Sequence, residues 1–137
     1  MSKSRTGNTD HDPRADQSLP RQARLSKPAD FKRVFNNPTV SADRAFKVLA
    51  RSNARERARL GMAVSRQVDK RAVGRNRIKR VIRESFRQYF ADTGPAMDFV
   101  VLPRRESATI CNRQLRHSLD THWARLLARC GDPAGQP

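Results

Sequence analysis

Between Lys70 and Arg87 the chain carries eight Lys or Arg and one acid, Glu84. At about 100° per residue, Ile78, Val81, Ile82, Ser85, Phe86 and Tyr89 share one side of a helix. Asn76, Arg80, Arg83 and Arg87 line the opposite side, with Arg77 and Lys79 at the flanks. The spacing predicts an amphipathic helix over 71–91 whose polar face is almost entirely cationic. A solvated face usually mixes Glu with Lys, because opposite charges at i,i+4 stabilise by about 0.2–0.5 kcal/mol per pair. Here Arg80, Arg83 and Arg87 are spaced to repel, so an external polyanion is the natural source of compensation. Arg also outnumbers Lys, which suits bidentate contact with phosphate oxygens.

The totals agree. The chain has 137 residues, enough for one domain, and a formal net charge of +16. That balance points to nucleic acid as partner, and less well to an anionic membrane surface. Hydrophobic residues make up 36% of the chain, so the core is modest. No apolar run approaches the roughly 20 residues that span a bilayer. The N-terminus lacks the apolar centre of a signal peptide, and a cytoplasmic protein is expected. Cys111 and Cys130 have no CxxC spacing and no nearby His cluster; they read as two reduced, partly buried thiols. His11, His117 and His122 are scattered. No Ser/His/Asp arrangement, P-loop or GxGxxG stands out, so the side chains offer no catalytic machinery of their own.

In chain order, residues 1–23 are polar, carry Pro13 and Pro20, and read as a disordered extension. Ser26 is placed to cap a short helix over 28–36, with Pro28 in its first turn and Asp30 near the positive end of its dipole. Phe31, Val34 and Phe35 form its apolar stripe. Two readings stay open: both rings are core, or the helix edge presents them for base stacking, with Lys27 and Lys32 near phosphate. Asn36-Asn37-Pro38 breaks the helix. A short strand is placed at 39–41. A second follows at 45–51, with Phe46, Val48 and Ala50 on one face and Lys47, Leu49 and Arg51 on the half-exposed other. Leu60, Met62 and Val64 share a face of a third; Gly61, Ala63 and Ser65 leave the opposite face small enough for close approach.

After the basic helix, Met97 to Leu102 is nearly continuous apolar, interrupted by Asp98, and reads as a buried strand. A loop with Arg104 and Arg105 leads to a last helix over 112–129, striped by Leu115, Leu119, Trp123, Leu126 and Leu127. Trp123 is its packing anchor. Residues 131–137 read as a disordered tail, leaving 24–130 as the domain. The third strand, basic helix and fourth strand form a βαβ crossover between parallel strands, and the whole an α/β sandwich of helices on one sheet.

The run Arg75-Asn76-Arg77-Ile78-Lys79-Arg80, continuing Val81-Ile82-Arg83-Glu84-Ser85-Phe86-Arg87, resembles the RNR signature of the bacterial ribonuclease P protein component family. Arg24-Leu25 with Asp30-Phe31-Lys32-Arg33-Val34-Phe35 is similar to the family's first helix. Leu60-Gly61-Met62-Ala63-Val64-Ser65-Arg66, Asp98-Phe99-Val100-Val101 and the closing helix fit as well. The resemblance covers Arg24 to Arg129. It implies an α+β fold, a two-layer α/β sandwich of order αβββαβα with a four-stranded sheet and a left-handed βαβ crossover, although right-handed crossovers are about 98% of cases.

The resemblance also implies a role in a ribonucleoprotein that removes the 5′ leader from precursor tRNA, with Mg²⁺-dependent hydrolysis done by the RNA subunit. The ribonuclease P RNA is then bound by Arg71, Arg75, Asn76, Arg77, Lys79, Arg80, Arg83 and Arg87. The single-stranded leader lies in a cleft using Lys27, Phe31, Phe35, Lys47, Leu49 and Arg51. A protein monomer in a 1:1 complex with the RNA is expected. Many family members carry an aromatic where this chain has Leu49, so the leader contact rests more on Phe31, Phe35, Lys47 and Arg51. The segment before Arg21 has no counterpart in the family. A generic basic RNA-binding protein of ribosomal type is the main alternative; it needs the cations but not the Phe31/Phe35 pair. A helix-turn-helix reader fits worse, because the basic helix follows a strand. A protein-only nuclease lacks a visible carboxylate cluster for two metals.

Overall fold

Apolar residues on both sides of one sheet build a large cluster on one face and a smaller one on the other. The computed structural model describes residues 23–53, 57–90 and 95–131. Strands β1 (Thr39–Ala42), β2 (Phe46–Ser52), β3 (Arg59–Met62) and β4 (Met97–Pro103) form one sheet in the order β1-β2-β4-β3. β1 and β2 pair antiparallel, as do β2 and β4, while β3 runs parallel to β4. Helix α1 (Pro28–Phe35) precedes the strands, α2 (Ala72–Phe90) links β3 to β4, and α3 (Asn112–Leu126) closes the chain. The order is αβββαβα, an α+β fold, and the parallel crossover falls where the sequence placed it.

Period-two alternation turns Phe46, Val48 and Ala50 of β2 and Met97, Phe99 and Val101 of β4 toward α2 and α3. There they meet Ile78, Val81, Ile82, Phe86 and Phe90 of α2 and Leu115, Leu119, Trp123 and Leu126 of α3. Trp123 is fully buried, its ring centroid 5.3 Å from Phe99 and 5.7 Å from both Phe86 and Phe90. Its indole N–H donates to Ser85 Oγ at 3.0 Å, and Ser85 donates to Asp120 Oδ1 at 3.1 Å. A serine therefore sits in the apolar stripe of α2 as the polar link to α3. Tyr89 departs from expectation: it is 41% exposed, and Phe90 takes the buried place. The row 78, 82, 86, 90 at i,i+4 spacing drifts only slowly around a helix, so it, not Tyr89, stays over the sheet.

The opposite face carries a smaller cluster of Leu25, Val34, Leu49 and Val100, with Phe31 and Leu102 packed at its edge. Leu49 was expected on a half-exposed face; α1 covers it to 3% exposure. Eight residues are too few for a helix to persist alone in water, so α1 exists because this face holds it. Its N-cap is Lys27, without a side-chain bond, and not Ser26. The Lys27 carbonyl accepts the N–H groups of Asp30 and Phe31 instead. Asn37, at φ 63°, makes the left-handed turn after α1, a conformation that Asn tolerates better than most residues.

The boundaries shift slightly. Val64 lies past the end of β3 but still packs on the main core. A π turn over Leu127–Gly131 replaces the last turn of the expected final helix and includes Gly131, assigned above to the tail. Ala23, assigned to the disordered extension, is buried; Leu25 N–H donates to Leu60 C=O at 2.8 Å, binding this segment to the β3 edge. The remaining residues of both expected disordered segments lie outside the described ones.

Candidate nucleic-acid interface

Helix α2 presents its cations in three ways. Asn76, Arg80 and Arg87 are exposed and Lys79 half-buried; among the described residues neither Arg80, Arg87 nor Lys79 has an ion-pair partner. Arg83 is half-buried on the same side. Arg71 is exposed but bound to Asp69, with Nη2 3.1 Å from Oδ2 and Nε 3.3 Å from Oδ1. Its hydrogen bonds hold the Asp69 carboxyl below the ordinary value. The two arginines of the RNR run are used by the fold. Arg75 donates to the carbonyls of Asp69 at 3.0 Å and Lys70 at 2.9 Å. Arg77 donates to Asn112 Oδ1 at 2.6 Å and to the carbonyls of Ala108, Ile110 and Ser107 at 3.2, 3.3 and 3.5 Å. The flank position read for Arg77 is correct, and that flank faces the segment leading into α3.

On the other side of the sheet, strand register sorts the α1 face into three rows. Arg51, Asp98 and Arg59 form the first; Leu49, Val100 and Gly61 the second; Lys47 and Leu102 the third. Helix α1 covers the first two. The third stays open, with Lys47 exposed and Leu102 half-buried. On α1, Phe35 is 48% exposed, Phe31 is half-buried and Lys27 is exposed at the helix start. The stripe thus divides: Val34 is core, Phe35 is presented, and Phe31 does both. Leu49 is buried under α1 with Val34 and Val100 and does not reach the open row. Arg51 caps the end of α1, donating to the carbonyls of Arg33 at 3.0 Å and of Asn36.

The first row contains a network that sequence reasoning did not assemble. Arg59, 6% exposed, grips Asp98 through two hydrogen bonds of 2.8 Å. Asn53 donates to Asp98 Oδ1 at 2.7 Å, and Arg59 Nη1 reaches Asp30 of α1 at 3.5 Å. The hydrogen bonds with Asp98 raise the Arg59 guanidinium pKa above its ordinary value, against the opposing effect of burial. Removing one partner of such a pair costs about 3–5 kcal/mol, because the other charge stays buried. A signal was present: a lone Asp inside the apolar run Met97–Leu102 demands a buried cation or several donors.

A second cluster brings Ser41, His122 and Asp43 together, although their sequence positions show no such grouping. Ser41 Oγ lies 2.6 Å from His122 Nδ1, and His122 Nε2 lies 3.2 Å from Asp43 Oδ2 without hydrogen-bond geometry. Ser41 and His122 are both buried, so no substrate reaches the hydroxyl, and the cluster ties β1 to α3. Burial pushes the Asp43 carboxyl up, but the Ser118 hydroxyl, the Phe46 and Ala45 N–H groups and nearby His122 outweigh it and hold it at about 2. Cys111 is exposed, not partly buried. Among the described residues no group of three His, Cys, Asp or Glu could hold a metal ion, and no helix is long and apolar enough to cross a membrane.

Comparison with known proteins gives one consistent result. The family model for Ribonuclease P matches residues 19–127. A ribonuclease P protein component of Thioalkalivibrio sulfidiphilus is 42% identical over 118 residues, spanning 86% of this chain and 98% of its own. That of Methylococcus capsulatus is 42% identical over 112 residues, spanning 82% and 87%. The solved RNase P protein of Staphylococcus aureus superposes with a TM-score of 0.68 at 31% identity, covering 75% of this chain and 94% of that one. The Thermotoga maritima protein gives 0.61 at 30%, covering 77% and 96%. With the family model spanning most of its length and relatives aligned almost end to end, the chain belongs to the ribonuclease P protein family.

Proposed function

We propose that this chain is the protein subunit of a ribonuclease P ribonucleoprotein, part of an endoribonuclease that frees the 5′ end of tRNA. The observation that carries the reading is the pairing of two surfaces: a cationic helix face whose Arg80 and Arg87 find no ion-pair partner among the described residues, and, on the sheet face that carries α1, an open row with Lys47 exposed that forms the proposed trough together with the exposed Phe35 ring. The outer face of α2 binds the catalytic RNA through Asn76, Lys79, Arg80, Arg83 and Arg87, with Arg71 at its start. Arg75 and Arg77 act mainly by holding the segments on either side. The trough takes the single-stranded leader, Phe35 and the outer edge of Phe31 stacking on bases while Lys27 and Lys47 meet phosphates. Arg51 and Leu49 serve that trough through α1.

The protein's part is binding and orientation. Mg²⁺ is used for hydrolysis by the RNA-containing holoenzyme. The test is the affinity of the reconstituted RNA–protein complex for precursor against mature tRNA. Wild type prefers the precursor, and Phe35→Ala with Lys47→Ala reduces that preference while leaving affinity for the catalytic RNA unchanged. Equal affinity of the wild-type complex for both tRNAs contradicts the reading.

A further inference from the structure

Gly61 stands in β3 without a backbone reason. It lies in regular pairing with Val100, and its φ is outside the left-handed region that favours glycine. A glycine inside a strand weakens it, having no side chain to pack and more freedom to lose. The space explains it. A Cβ at this position would lie 2.7 Å from both Cε1 and Cζ of Phe31 and 3.1 Å from Cβ of Leu25. The Phe31 ring occupies the volume that any side chain would need.

The ring cannot move aside freely. Asp30, its neighbour in α1, is held by Arg59 of the same strand, and α1 is gripped at its far end by Arg51. Lifting α1 off β3 to make room for a methyl group would pull on the buried Arg59–Asp98 pair. Phe31 is thus seated by a missing side chain below and a charged clasp beside it. Its depth sets how much of the ring edge reaches the trough.

We propose that Gly61 is the positioning residue for Phe31 in leader recognition, a role that rests on the leader reading above. Its empty side-chain position fixes the height of the ring, and through it the surface offered to a base.

The experiment compares wild type, Gly61→Ala, Phe31→Ala and the double variant, each assembled with the catalytic RNA. The readout is the ratio of affinities for precursor and mature tRNA, beside the melting temperature of the free protein. Gly61→Ala lowers the ratio by roughly fivefold or more, the lower end of what one base–aromatic stack contributes. Phe31→Ala lowers it similarly, the double variant falls no further than Phe31→Ala alone, and catalytic-RNA affinity is unchanged in all. A folded Gly61→Ala protein that keeps the wild-type ratio, or losses that add in the double variant, overturns the proposal. Should Gly61→Ala not fold, adding Phe31→Ala restores folding; a double variant that stays unfolded overturns it equally. A wild-type complex without precursor preference refutes the leader reading itself, which separates the two failures.

Discussion

Arg77 and Arg80 lie on neighbouring faces of α2, and the structure employs them differently. Arg77 satisfies four acceptors, three carbonyls before α3 and Asn112 at its first residue, whereas Arg80 is exposed, without a partner among the described residues. Arg77→Ala strands those acceptors and lowers stability by about 1–2 kcal/mol, read from urea denaturation. Arg80→Ala changes stability by less than about 0.5 kcal/mol but flattens the salt dependence of RNA binding by roughly 0.7–0.9 in log–log slope, the share of one phosphate contact. The same experiment on both variants separates the two roles. Residue type and spacing placed both as cations at the helix surface. They could not show that one guanidinium meets carbonyls 30 and 31 positions away.

At the scale of elements, the chain's own pattern accounts for α2, β2 and α3 through periodicity and for β4 through its nearly continuous apolar run. Helix α1 and strand β3 are short, and their placement depends on contacts between distant segments: Asp30 with Arg59, Phe31 with Gly61, Arg51 with the end of α1. The sequence showed the small residues of β3 and the odd Asp98, yet not which partner each required. The contact of β1 with α3 through Ser41 and His122, 81 positions apart, was equally hidden. It has a pH signature. Burial, aided by Arg125 and opposed by Asp43, holds the His122 pKa below 6.5. The fold therefore favours the neutral ring. Its contribution to stability is complete above pH 6.5 and declines as the pH falls toward the lowered folded value, where the unfolded chain binds the proton more readily. Asp43, held at about 2, stays ionised through this window. The urea midpoint should be lower at about pH 5.5 than at about pH 7.5, and His122→Gln should narrow the difference. A midpoint that rises on acidification contradicts a neutral buried ring.

For the whole molecule, the sheet separates two surfaces. Helix α2 packs on one face and turns its cations outward; α1 and the trough occupy the other face. The β3–α2 connection joins them, so one rigid sheet can hold a structured RNA and a single strand at a fixed separation. The net charge of +16 opposes compaction of the free chain and favours association with any polyanion; in the proposed function, selectivity comes from the trough. Fold class, the basic helix and the paired Phe residues were legible in the sequence, the first two from pattern and the left hand of the crossover only through family resemblance. The division of labour among the arginines was not, because it depends on three-dimensional neighbours. Cleavage of a precursor tRNA by the ribonuclease P RNA of the same source, at low Mg²⁺ with and without this protein, puts the proposed role to the test. Strong stimulation, correct 5′ ends and no cleavage by the protein alone are expected. Absence of stimulation by folded protein that still binds the RNA would contradict it, leaving a basic RNA-binding domain without the proposed role.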